Sequence, residues 1–249
     1  MAGQKNYWAP AVIQHEGEIW LYVSTTPAGT ANMHEQSLKV ARASSPEGPF
    51  QYVTELLPPF SIDAHVVSYK KELYLFYSTN DENAPCPGTY IALDKMLSPT
   101  KVEHRPVAVV RPSLEEEIFC RDRFQPGVHW YTIEGAFYFF HNGTHYVTYS
   151  GSAYDQPTYF VGYSTAKGNC GDLRELTWQK YPDEHTYHPL LCANRFVEGT
   201  GHNSIIEVDG AYWIVYHGRD TGSAHSSEDS RSMRADRLLF DGDRLSVQL

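Results

Sequence analysis

Two carboxylates and one imidazole stand out by type and spacing. Four segments of the chain each run from an apolar strand pattern through a turn into an aromatic return strand, with turns at Gly17, Lys71, Gly143 and Gly210. Eight positions before the first, second and fourth turns stand Ala9, Asp63 and His202, and nine before the third stands Glu134. A lone carboxylate ahead of a strand is usually a solvated turn residue, and a lone histidine usually a satisfied core group. Recurrence at one register is what marks these as residues of a shared pocket. With Trp8 alongside and many tyrosines and tryptophans in the chain, such a pocket suits a neutral polyhydroxylated ligand. Aromatic faces stack on sugar C–H surfaces while carboxylates do acid–base work. Protonating a glycosidic oxygen needs a carboxyl with a raised pKa. Glu134, set among Ile133, Gly135 and Ala136 and followed by Phe137 to Phe140, has the apolar flanks for that role.

The elements that must position these residues are the hairpins themselves. They read PAVIQHEG-EIWLYVS, DAHVVSYKK-ELYLFYS, EGAFYFFHNG-THYVTYS and HNSIIEVDG-AYWIVYH, alternating apolar strands joined by turn residues and closing on aromatic and small polar residues. Weaker strand candidates follow each one: 38–43 and 50–54, 89–93 and 107–110, 159–164 and 176–180, then 234–240 and 245–249. Four strands per unit, each unit too small to bury its own face, predict an all-β chain built as a β-propeller. The blades are expected at about 1–55, 56–112, 113–184 and 185–249, as one domain over 1–249. The opening residue of each innermost strand then faces the central channel.

Composition excludes other classes. The 249 residues carry 18 Tyr, 11 Phe and 5 Trp, and a net charge of −10 with no Lys/Arg-dense face, so neither nucleic acid nor an anionic lipid surface is an expected partner. No apolar leader or spanning segment is present, and the chain reads as cytoplasmic. Cys86, Cys120, Cys170 and Cys192 are irregularly spaced and read as free thiols. Asn142-Gly143-Thr144 matches a glycosylation sequon but reads better as a tight turn. There is no HExxH, GxSxG or P-loop, and Gly199-Thr200-Gly201 lacks the helix that a dinucleotide site needs.

The ordered set Tyr7-Trp8-Ala9-Pro10, Ser61-Ile62-Asp63, Ile133-Glu134-Gly135 and Gly199-Thr200-Gly201-His202-Asn203-Ser204, with Arg231 ahead of a strand, resembles glycoside hydrolase family 43. The runs 44–50 and 178–180 share the likeness, which spans nearly the whole chain. The resemblance implies a five-bladed propeller that hydrolyses arabinose- or xylose-containing plant-type glycans with inversion, as α-L-arabinofuranosidases and β-xylosidases do. It makes Glu134 the general acid, and Asp63 the residue that tunes its pKa and orients it. Trp8 would wall the sugar subsite, and Arg231 would hydrogen-bond sugar hydroxyls. His202 would sit at the pocket floor, near a structural calcium ion in the channel. No cofactor is expected for the reaction. The partner is an oligosaccharide or polysaccharide.

One departure bears on activity. Members of the family carry a general-base Asp in a blade preceding the Trp-Ala-Pro motif, and here that motif begins at residue 7. The expectation is therefore that the first blade and its base are missing, and that exposed blade edges promote self-association. Asp81, Glu82 and Asp155 lie out of register, so no base is assigned. The alternative function is a catalytically impaired or inactive carbohydrate-binding propeller.

Overall fold

Four two-residue turns set the strand registers of this chain. The structure is a computed structural model and describes residues 3–248. These fall into two compact units: one comprises residues up to Asn80 with Ile91–Val109 and Cys170–Glu175, the other Asp81–Tyr90, Val110–Asn169 and the chain from Leu176 onward.

The first unit contains β1 (Gln4–His15), β2 (Glu18–Pro27), β3 (Ser37–Ala43) and β4 (Gln51–Leu57), paired in that order as one antiparallel sheet. It also holds β5 (Ile62–Tyr69), β6 (Glu72–Asp81) and most of β7 (Gly88–Ser98), with β8 (Lys101–Val102) and β9 (Val107–Val110) pairing onto β7. Tyr22, Leu38, Val40, Leu75, Phe76, Ile91 and Leu93 are among its fully buried side chains.

The second unit contains β10 (Ile118–Cys120), β11 (Trp130–His141), β12 (Thr144–Gly151), β13 (Phe160–Lys167) and β14 (Gln179–Lys180), and then the sheet of β15 (Val197–Val208), β16 (Ala211–Asp220), β17 (Ser232–Asp241) and β18 (Arg244–Gln248). Its core joins Tyr146, Val161 and Tyr163 to Ile205, Ile214, Leu238 and Leu245. Phe139 stacks on Tyr146 at 4.8 Å, and Tyr163 on Tyr181 at 4.8 Å.

The turns carry the type I′ signature, positive φ at both central residues, which matches the right-handed twist of the strands they join. The pairs are Glu16-Gly17 (φ 50 and 82), Lys70-Lys71 (50 and 70), Asn142-Gly143 (47 and 84) and Asp209-Gly210 (52 and 74). At the far end of each first strand the ladder breaks, and two residues face one. Ala9-Pro10 oppose Val23, Asp63-Ala64 oppose Tyr77, Gly135-Ala136 oppose Tyr149, and His202-Asn203 oppose Tyr216. The first residue of each bulge is left-handed: Ala9 φ 43, Asp63 φ 56, Gly135 φ 64 and His202 φ 46. A side chain in that conformation costs about 1–2 kcal/mol, so three of the four bulges are held against local preference.

The expected strand at 176–180 shortens to two residues because Leu173–Glu175 forms a 3-10 turn and Trp178 packs edge-on against Tyr138 at 6.4 Å. The strand expected from residue 159 begins at Phe160, leaving Tyr159 outside it. Leu249, expected at the end of the last strand, lies outside the described residues. All four cysteines are free. Among the described residues no helix is long and apolar enough to cross a membrane.

A buried ion pair ties β14 to the segment 113–117. Lys180 Nζ lies 2.6 Å from Glu117 Oε1 and 2.8 Å from Ser113 Oγ, while Glu117 Oε2 accepts the Ser113 and Leu114 amides at 2.7 and 3.0 Å. Both ions are essentially inaccessible, and each depends on the other. Lys180→Met strands the Glu117 charge and is expected to lower unfolding free energy by about 3–5 kcal/mol, with the double variant Lys180→Met/Glu117→Met recovering most of the loss. Urea denaturation of the three proteins checks this. Equal loss in single and double variants would show that the pair does not act as a unit.

Candidate active site

The bulges decide which side chains point where. They align Gly135, rather than Glu134, with Asp63 and His202, and they set Glu134 level with Trp8, Ile62 and Gly201. The equivalence expected for Glu134 is thus off by one residue: all four bulges open eight residues before the turn, and Glu134, nine before it, stands one residue ahead of its own bulge. Gly135 itself makes room for a neighbour. A Cβ there would stand 3.2 Å from Cγ of His202, so the imidazole lies directly against the Gly135 backbone.

Glu134 is half-buried, and its Oε1 accepts the hydroxyl of Tyr159 at 2.7 Å. Tyr159 is 1% exposed. Its ring is laid over the Gly201–His217 pair of β15 and β16. A Cβ on Gly201 would stand only 1.8 Å from the Tyr159 ring, and His217 stacks on the same ring at 5.6 Å with 12° between planes. The second glycine of Gly199-Thr200-Gly201 therefore serves aromatic packing. The His202 amide donates to Ser150 Oγ at 2.7 Å, and Asn203 Nδ2 donates to Thr148 Oγ1 at 2.9 Å, tying the fourth bulge to β12.

Arg231 is exposed, with its guanidinium 5.0 Å from the centre of the Tyr154 ring. The loop that delivers it, residues 221–231, is pinned by two buried ions of β15 and β16. Arg219 Nε donates to Asp229, and Arg219 Nη1 donates to the Tyr154 carbonyl at 3.0 Å. Glu198 Oε1 accepts the Ala224 amide at 2.9 Å. Asp229 Oδ2 in turn accepts the His225 amide at 3.0 Å, and that bond, ahead of Arg219, holds its pKa below the usual carboxylate range.

Both imidazoles are pushed toward the neutral form. Burial lowers the His202 pKa; Glu134 opposes that shift and Arg231 adds to it. His217 falls further, to about 3, through burial and then the charges of Arg231, His202 and Arg219. Its Nδ1 is buried with no hydrogen-bond partner.

Glu134, His202 and Arg231 come together in the second unit. Trp8 and Asp63 belong to the first. Asp63 is 5% exposed at its bulge, and half-buried Trp8 accepts Ser24 Oγ at its carbonyl at 3.4 Å. Among the described residues no group of three or more His, Cys, Asp and Glu could hold a metal ion. Calcium takes about six to eight oxygen ligands, whereas His202 offers a ring nitrogen beside a guanidinium. These side chains do not fit the calcium ion expected there, and no step below runs through one.

Sequence reasoning missed Tyr159 and His217. A signal for His217 was present: seven positions after the turns stand Ser24, Ser78 and Ser150 in three hairpins and His217 in the fourth. The unfolded His217 side chain takes up a proton below about pH 6.5, the folded one only near pH 3. Its contribution to stability is full above pH 6.5 and is lost as pH falls toward 3. The ceiling is about 1.4 kcal/mol per pH unit for one proton. His217→Phe keeps the stack and removes the titration, so its stability should fall less steeply between pH 6.5 and 4. Identical slopes in urea titrations of the two proteins would count against a neutral, buried His217.

A family model for the glycosyl hydrolases of family 43 matches residues 1–244. A solved thermostable family-43 glycoside hydrolase is 27% identical, with a TM-score of 0.79 over 99% of this chain and 76% of its own. An α-L-arabinofuranosidase from Lactobacillus brevis is 21% identical, with a TM-score of 0.80 over 99% of this chain and 77% of its own. An endo-1,4-β-xylanase from Bacteroides thetaiotaomicron is 22% identical, with a TM-score of 0.75 over 98% and 76%. Among curated proteins no match was found.

Proposed function

This chain belongs to the glycosyl hydrolases of family 43, and on that premise we propose that it cleaves O-glycosidic bonds of arabinose- or xylose-containing glycans with inversion, in the manner of an α-L-arabinofuranosidase or β-xylosidase. The observation that carries the reading is the half-buried Glu134 carboxyl, held by Tyr159 beside the buried His202 imidazole, with His217 stacked on the Tyr159 ring. The arabinofuranosidase and xylanase among its structural neighbours support the choice of substrates.

In this reading Glu134 protonates the leaving oxygen as the bond breaks. Tyr159 fixes the rotamer of the carboxyl, which matters because proton transfer requires hydrogen-bond distance in the reacting pose. The lowered pKa values of His202 and His217 disfavour a positive charge that would stabilise the ionised acid. Arg231, anchored through the 221–231 loop, donates to sugar hydroxyls. Trp8 and Asp63 enter the proposal through their motifs alone, as a wall of the sugar subsite and as the carboxylate that tunes the acid. No carboxylate of this chain is assigned as the base that activates water on the opposite face of the sugar.

Glu134→Gln keeps the shape and removes the proton, and should lower turnover on glycosides with poor leaving groups by at least ~10²-fold. Aryl glycosides with good leaving groups need less protonation and should lose less. Tyr159→Phe should lower kcat with little change in KM. The assay is hydrolysis of matched alkyl and aryl arabinofuranosides and xylosides. An equal response of both leaving-group classes to Glu134→Gln would remove Glu134 as the acid, and sugar binding without any turnover would assign the chain to carbohydrate binding.

A further inference from the structure

The loop between β10 and β11, residues 121–129, carries a ring cluster that acid catalysis does not use. The Arg123 guanidinium lies 4.7 Å from the Trp130 ring centre, 5.3 Å from that of Phe124 and 5.6 Å from that of Phe119. Phe124 meets Trp130 edge-on at 5.7 Å and 88°. Trp130 is buried at the root of the cluster, while Phe124 is 68% and Phe119 39% exposed. Contiguous exposed rings on an ordered loop mark an interaction surface rather than a scattered apolar residue.

The loop is closed on itself. Arg123 N donates to the Val128 carbonyl at 3.0 Å, Val128 N to the Gln125 carbonyl at 3.1 Å, and Gly127 N to Asp122 Oδ1 at 2.7 Å. The Asp122 amide donates to His129 Nδ1 at 3.2 Å. A platform ordered by its own bonds loses little freedom when a ligand settles on it.

Its position points to the ligand. Trp130 opens β11 and Glu134 stands four residues on, both on one face of the strand because side chains alternate. Four residues span about 13 Å, beyond one sugar ring and within the reach of a short oligosaccharide. Aromatic faces flanking a guanidinium also match sugar chemistry, apolar C–H faces beside hydroxyl acceptors. We propose that Phe119, Arg123 and Phe124 form a distal subsite that binds a sugar ring of a glycan chain remote from the bond being cleaved. The inference rests on the glycosidase reading above.

The test titrates arabino- and xylo-oligosaccharides of increasing length into the full chain carrying Glu134→Gln, which binds without cleaving. Affinity should rise with length. Adding Phe124→Ala should flatten the rise, weakening the longest oligomers about ten-fold while leaving the shortest unchanged, and Phe124→Tyr should preserve it. Phe124 is exposed, so thermal melts should coincide. The same length dependence with and without the Phe124 ring would overturn the subsite. So would a dimer that Phe124→Ala dissociates while glycan binding is unchanged, since the rings would then serve a second copy of the chain. A chain that binds no glycan of any length would instead sink the function on which the inference rests.

Discussion

The constraint on which this structure depends is one extra residue per hairpin. A two-residue turn fixes the register of each first strand, and a slip by one would send every side chain to the other face. The bulge makes one controlled slip, at the end of the strand away from the turn. Three of the four bulge residues sit in a conformation that side chains avoid, and backbone strain of that kind persists only where the surroundings over-determine it. The second unit shows how: the His202 amide is held by Ser150, and its ring rests where Gly135 has no side chain.

From that constraint the electrostatics follow. The bulge brings His202 beside Glu134, and the ladder brings His217 opposite Gly201, so that both imidazoles feel the Arg231 guanidinium and His202 feels the carboxyl as well. Burial disfavours the charged form of both rings, which sit in the field of Arg231, with Glu134 acting on His202 and Arg219 on His217. Hydrogen bonds and stacking do the positioning. Tyr159 packs against the Gly201 backbone and the His217 imidazole face, and its hydroxyl holds the carboxyl.

The hairpins were legible in the sequence because turn chemistry and aromatic alternation are local signals, and each expected turn is found where it was read. Glu134, His202 and Arg231 were legible as a set. The offset between Glu134 and Gly135 lay in the count itself: eight positions before Gly143 stands Gly135, which has no side chain to mark it as a site residue. Tyr159 was hidden for a different reason: its place depends on the absent side chain of Gly201, residues away in sequence and on another strand. Glu117 and Lys180 gave no sign of pairing, because neither lies in a periodic run that reveals its partner. His217 broke a column of serines, a signal that has meaning only once the return strands are aligned.

The turn tips and the bulges lie at opposite ends of the same strands, eight residues apart, or roughly 25 Å of extended chain. That separation gives each hairpin a bulge end and a turn end that can be altered independently. Tags, linkers or attachment to a solid support at Glu16-Gly17 or Asp209-Gly210 would leave the bulge geometry untouched, and natural drift at the tips could alter surface charge or solubility without consequence for the pocket.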